Sequence, residues 1–299
     1  MKNISSADFF SNPSKISPRV TFHEGSCLEK SPIAAIVRSD EGTLVVITYE
    51  TPFHPRDYQW PDQPEDRGHI EDKGGSAHEL SDVVFVGVSP DGNFYVDRSI
   101  PVKKNSPEWS YFVGHVIKEE ANLSLEEYVT LRVDARYRHE ISRAHSASHL
   151  MGPALNKALA GLWRKEPGKQ DALGTNDFDQ LAIESSAITE LLCTDTYHIG
   201  KSLRKKGFSV EPLYSNLRLY EDKINDTITR WKNAGASVRI RAEGDCLASR
   251  RYWCSTLDGK QVEIPCGGTH VRELSEIGEI HAALEMPDSE TLIIRTSVR

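Results

Sequence analysis

The feature that most constrains this chain is a change of hydrophobic rhythm near Ile141. Before that point, apolar residues come in short runs parted by turn residues. Residues 33–37 and 43–49 are two such β-type runs, with a turn expected at Asp40, Glu41 and Gly42. Residues 83–88 and 93–97 read as strands around Pro90-Asp91-Gly92, and 113–117 and 129–133 read likewise. Short strands at this spacing predict a small β-barrel or sandwich. Beyond Ile141 the spacing turns helical. Leu150, Leu155, Leu159 and Leu162 predict a helix over 144–165, and Leu181, Ala187, Ile188, Leu191 and Leu192 predict another over 178–206. Leu217, Ile224, Ile228 and Trp231 share one side of a third over 216–233, with Gly235 as its stop signal. Strands are expected at 237–242, 250–256, 260–264 and 291–298, with Asp258-Gly259 as a hairpin turn. The expected fold class is α+β: a β-barrel-like domain over 1–140, then an α+β domain over 141–299.

No run approaches the ~20 apolar residues of a membrane helix. The first twenty residues are polar, contain two prolines and lack the apolar core of a secretory signal, so a cytosolic protein is expected. The five cysteines are odd in number and scattered, which suits a reducing compartment and not a disulfide framework. Net charge is −8, which argues against a general nucleic-acid binder. The balance is uneven, however. Residues 1–140 carry 15 Lys+Arg against 23 Asp+Glu, whereas 141–299 carry 21 of each. Lys201, Arg204, Lys205 and Lys206, and then Arg239, Arg241, Arg250 and Arg251, are either solvated surface or a local grip for phosphates.

Two short motifs carry the chemistry. In His145-Ser-Ala-Ser-His149 the histidines are four apart, so on a helix they share a face and suit one metal ion. In Pro265-Cys-Gly-Gly-Thr-His270, Cys266 and His270 flank two glycines that let the backbone curl and clear space for a ligand. Three imidazoles and a thiolate form a donor set suited to zinc. The bland alternative is a buried histidine pair and a structural cysteine turn. A closed four-ligand site is usually structural, whereas a catalytic zinc keeps a position for water. Four ligands would therefore have to expand to five, or one would step aside. Alternatively, the histidines act directly as acid–base groups.

HSASHLM at 145–151 and PCGGTHV at 265–271 resemble the paired signatures of the editing domain of alanyl- and threonyl-tRNA synthetases, and of the free-standing alanyl-tRNA editing proteins of the AlaX type. Asp134-x-x-x-Arg138 resembles the family's approach to the first histidine. Thr51-x-Phe53-x-Pro55 and Gln63-Pro64-x-Asp66-x-Gly68-x-Ile70 resemble the loop of its N-terminal β-barrel. The resemblance covers roughly residues 33–299. With no aminoacylation core or anticodon domain in the sequence, it implies a stand-alone editor. It implies hydrolysis of the ester joining a wrong amino acid to tRNA, usually serine or glycine on alanine tRNA. It implies zinc held by His145, His149, Cys266 and His270, with tRNA as partner, no membrane, and Gln63 and Thr269 as candidate catalytic residues.

The chain departs from the family pattern in one loop. Trp60-Pro61-Asp62 precedes Gln63 where the family reads three glycines, and His54 replaces a tyrosine. This loop keeps two other functions in view: a non-catalytic metal- or RNA-binding module, and an esterase or acyl transferase on another aminoacyl carrier. Asp134 and Arg138 either orient the ligand helix or form a surface pair one turn apart. Thr269 either bonds substrate or water, or caps its turn.

Overall fold

A run such as Leu44-Val-Val-Ile-Thr48 has no polar face, so a strand built from it has to be covered on both sides. The computed structural model describes residues 4–9, 18–39, 43–118 and 121–299, and within them this run is a fully buried strand. The turn expected at Asp40, Glu41 and Gly42 lies outside the described residues. The described residues form two compact units. The first comprises Met1–Arg138, Ala242–Arg251 and Gly267–Thr269; the second comprises His139–Arg241, Tyr252–Cys266 and His270–Arg299.

The strands of the first unit are β1 (Ile4–Phe9), β2 (Arg19–Val20), β3 (Leu28–Ser39), β4 (Leu44–Thr48), β5 (Glu50–Thr51), β6 (Gly68–Glu71), β7 (Ala77–Glu79), β8 (Asp82–Val88), β9 (Phe94–Val96), β10 (Ser110–Ile117) and β11 (Tyr128–Val133). Nine of them make one sheet in the order β7-β6-β11-β3-β4-β10-β8-β9, with β1 also paired to β3. The path is open, with β7 and β9 at its ends. Successive side chains point to opposite faces, so each buried strand feeds two apolar layers. Leu44 and Val46, Val83 and Phe85, and Tyr111 and Val113 enter one layer with Ile33, Ile70 and Leu131. Val45 and Ile47, Val84 and Val86, and Phe112 and Val116 enter the other. Gly114 on β10 follows from the second layer, because a Cβ there would lie 2.8 Å from the Val45 and Val86 side chains. Gly68, at φ +153°, opens β6 where a Cβ would come within 2.0 Å of the Arg132 carbonyl oxygen.

The second unit mixes helices and antiparallel strands, which makes the chain α+β. A long helix, α1 (Ala135–Leu159), has all but its first four residues in this unit. It starts nine residues before the expected 144, because the Asp134 carboxylate caps it, accepting the backbone N–H groups of Arg136 and Tyr137 at 3.0 Å each. Ala144, Ala147, Leu150, Met151, Ala154 and Leu155 are buried along it. After α1 come α2 (Phe178–Ala182), β12 (Ile183–Thr189), β13 (Leu192–His198), α3 (Lys201–Lys205), α4 (Glu211–Ser215), α5 (Leu217–Asn233), β14 (Arg239–Ala242), β15 (Arg251–Leu257), β16 (Lys260–Pro265), β17 (Ile280–Glu285) and β18 (Thr291–Val298). One sheet runs β12-β13-β18-β17 and another β14-β15-β16. The expected third helix is α5, and Asp258 and Gly259 turn the β15–β16 hairpin with φ of 49° and 75°.

The expected helix over 178–206 is corrected. Only its two ends are helical, and β12 and β13 form a hairpin between them. Apolar residues at 187, 188, 191 and 192 fit a helical face by coincidence. The burial along β13 instead alternates, with Cys193, Asp195 and Tyr197 inward. The deciding interaction is the pairing of β13 with β18, about a hundred residues further on. The turn itself carries no glycine: Leu191 takes φ +60°, so the usual hairpin signal is absent.

Candidate metal centre

The four residues singled out by the two motifs come together in the second unit. His145 and His149 lie on α1, their rings stacked with centroids 5.1 Å apart. Cys266 follows directly on β16, whose Pro265 pairs with Tyr252 of β15, so the hairpin fixes where the thiol is presented. His270 lies four residues further on. The candidate ligand atoms of all four lie within 4.8 Å of one another. Cys266 Sγ is 3.4 Å from His145 Nε2 and 3.1 Å from His270 Nε2. With metal–nitrogen and metal–sulfur bonds of about 2.0 and 2.3 Å, the edges of a tetrahedral site are about 3.5 Å long. The donor set present therefore fits zinc in its chemistry, and the two Cys266 distances match those edges.

Burial sets the protonation state. It pushes His145 down to about 3 and His149 well below the ordinary imidazole range, with His145 adding to the effect on His149. Neutral imidazoles are the form that binds a metal. Two further residues shape the cluster without having been singled out from the sequence. Trp253 of β15 is fully buried and lies nearly parallel to His149, with centroids 5.2 Å apart at 13°. Its only sequence signal is the alternation of β15. Ser146 places its hydroxyl 3.1 Å from His270 Nδ1. It lies within the first motif, but as a spacer between the histidines.

The other two candidate site residues, Gln63 and Thr269, meet in the first unit. A backbone N–H can only donate, so the Gln63 atom 2.9 Å from Thr269 N is its amide oxygen. The amide nitrogen then donates to Thr269 Oγ1 at 3.0 Å and faces His54 Nδ1 at 3.3 Å. That leaves His54 Nδ1 as an acceptor and engages both amide hydrogens of Gln63. His54 packs its ring edge-on against Phe22, with centroids 5.0 Å apart. Arg138 is buried and does not form a surface pair with Asp134. Its guanidinium grips both carboxylate oxygens of Asp66, with Nε to Oδ1 at 2.6 Å, and donates to the Pro52 carbonyl at 2.7 Å. Asp66 in turn accepts the His54 backbone N–H. In the departing loop Trp60 is 44% exposed and Pro61 is exposed. Asp62 is half-buried, and burial raises its carboxyl to about 6.

The two basic clusters differ. In the second, Arg241 is engaged by Glu263 at 2.9 and 2.5 Å and Arg251 is buried, which leaves Arg239 and Arg250 exposed. In the first, Arg204 donates to the carbonyls of Ile199 and Ser289. Lys201, Lys205 and Lys206 are exposed. A bridge between Trp163 and Phe208 and the Arg164 N–H to Gly207 carbonyl bond bring exposed Arg164 and Lys165 beside them. No helix among the described residues is long and apolar enough to cross a membrane.

No family model matches the chain. It is 29% identical over 168 residues to the alanyl-tRNA editing protein AlaX-M of Pyrococcus horikoshii, covering 56% of this chain and 60% of that protein. It is 24% identical over 275 residues to an alanine–tRNA ligase of Streptococcus pneumoniae, covering 86% of this chain and 25% of the ligase. An alanine–tRNA ligase of Akkermansia muciniphila is 26% identical over 267 residues, covering 87% of this chain and 24% of the ligase. The chain thus spans about three-fifths of the editing protein and about a quarter of each ligase. With both motifs present, and with these relatives, the chain is related to the AlaX-type alanyl-tRNA editing proteins.

Proposed function

We propose that the chain hydrolyses mischarged aminoacyl-tRNA, with seryl- or glycyl-tRNA for alanine as cargo, at a zinc centre of His145, His149, Cys266 and His270. The observation that carries this reading is the meeting of the two motifs: Cys266 Sγ and His145 Nε2 are 121 positions apart in sequence and 3.4 Å apart in space. The relation to an alanyl-tRNA editing protein supplies the reaction class.

In the hydrolysis, the bond between the acyl carbon and the ribose oxygen breaks. The hydroxyl of water ends on the acyl carbon and its proton on the ribose oxygen. Zinc, when bound, supplies Lewis acidity for this chemistry. Thr269 is the group that touches substrate, and Gln63 holds it. Because Gln63 Nε2 donates to Thr269 Oγ1, that hydroxyl accepts on the Gln63 side and donates its own hydrogen away from it. The cations Lys201, Lys205, Lys206, Arg164 and Lys165 take phosphates of the tRNA.

The test is release of amino acid from a panel of mischarged tRNAs by untagged protein, with and without chelator, alongside elemental analysis. Release from seryl- or glycyl-tRNA, loss of that activity in chelator and about one zinc per chain are expected. No release from any aminoacyl-tRNA by zinc-replete protein would overturn the reaction. Full activity in chelator, with no zinc in the protein, would overturn the metal alone.

A further inference from the structure

Ser146 lies inside the first motif but at neither ligand position. It is 0% exposed, one residue beyond His145 on α1. Its hydroxyl oxygen lies between two groups of the second motif, His270 Nδ1 at 3.1 Å and the Val271 backbone N–H at 3.1 Å. The Val271 N–H can only donate, so one lone pair of Ser146 Oγ is taken by it. What remains on that oxygen towards His270 is one lone pair and the hydroxyl hydrogen. The other nitrogen of the ring, Nε2, faces Cys266 Sγ at 3.1 Å, so it is the one turned to the ligand cluster. An imidazole nitrogen that binds a metal carries no proton, and the ring hydrogen then sits on Nδ1. Nδ1–H has Ser146 Oγ as its acceptor.

We infer that Ser146 is a positioning residue for the metal centre. It accepts the Nδ1–H of His270, sets the tautomer and ring orientation that aim Nε2 at the metal, and holds the Val271 N–H with the same oxygen. One buried hydroxyl thereby ties the helix of the first motif to the loop of the second. The side chain suits the place: serine is small enough for a fully buried helix position, and it supplies an acceptor without burying a charge. This inference rests on the reading of His270 as a metal ligand.

The experiment compares Ser146→Ala, Ser146→Thr and Ser146→Val with the native protein. Zinc affinity is read by competition with a chromophoric chelator, ligand geometry by the absorption spectrum of the cobalt form, and the tautomer by histidine nitrogen resonances of the zinc form. Native protein should show a protonated, hydrogen-bonded His270 Nδ1. Ser146→Ala and Ser146→Val should lose about 10- to 100-fold in zinc affinity with an altered cobalt spectrum, whereas Ser146→Thr stays near native. Thr and Val have the same shape, so their comparison decides the matter even if the alanine variant folds poorly. Equal zinc affinity in the Thr and Val variants, or a zinc-loaded His270 protonated at Nε2, overturns the role of Ser146. Native protein that binds neither zinc nor cobalt overturns the metal reading itself.

Discussion

Replacing Gln63 tests whether Thr269 is presented by its neighbour. Gln63 is only 2% exposed, so its hydrogen bonds are made away from bulk water. In Gln63→Ala the Thr269 N–H loses the acceptor it now has at 2.9 Å. A buried donor left unsatisfied costs about 1–3 kcal/mol. The bonds from Nε2 to Thr269 Oγ1 and His54 Nδ1 also go. The hydroxyl can rotate and the imidazole can change tautomer, so each of these counts for about 0.5–1 kcal/mol. Together the variant should unfold about 2–5 kcal/mol more easily. A shift of Thr269 by about an ångström would also slow deacylation by about a hundredfold. Gln63→Glu separates the two effects. A carboxylate keeps an oxygen for the Thr269 N–H, but its other oxygen cannot donate and takes the hydrogen of the Thr269 hydroxyl instead. That variant should regain part of the stability and none of the activity. The assays are urea unfolding and single-turnover deacylation of seryl-tRNA. A native rate in Gln63→Glu would refute the argument from hydroxyl direction. Stability in Gln63→Ala within about 0.5 kcal/mol of native would show that the strut carries no load.

His115 is fully buried, bonded to the Val46 carbonyl through Nδ1 at 2.8 Å and to Thr51 Oγ1 through Nε2 at 2.9 Å, and burial pushes it down to about 4. Its folded pKa is depressed, so in this window the unfolded chain binds the extra proton. The stability His115 contributes is present above about 6.5 and falls by about 3 kcal/mol as the pH drops to 4. The native-minus-variant difference in unfolding free energy for His115→Asn should shrink by that amount between pH 7 and 4, and a constant difference counts against it. Lys205→Glu with Lys206→Glu should weaken tRNA binding and lower the slope of log affinity on log salt by about 2; an unchanged slope would make the patch mere solvated surface. Glycine at all of residues 60–62 should change the ratio of deacylation rates for seryl-, glycyl- and alanyl-tRNA, because Trp60 bulk and the Asp62 charge are removed together. Identical ratios would show that the loop does not select cargo.

Where an element is specified by its own residues, it was legible in the sequence. The apolar runs of β4, β8 and β10, the amphipathic stripe of α5 and the Asp258-Gly259 turn are such cases, because strand alternation, helical period and turn chemistry act over a few residues. The candidate ligands were legible too, since His145 with His149 and Cys266 with His270 are each spaced four apart. The β12–β13 hairpin was not legible, because its apolar spacing satisfies a helix equally well and the competing partner, β18, lies far along the chain. Nor did local spacing show that Arg138 bonds Asp66 rather than pairing with Asp134, 72 positions separating the bonded partners. The same holds for Gln63 reaching Thr269 across 206 positions, and for Trp253 and Ser146 contacting His149 and His270. By itself the sequence determined which side chains have the right chemistry. Only the tertiary structure decided which of them meet, because those contacts form between segments that no local period connects.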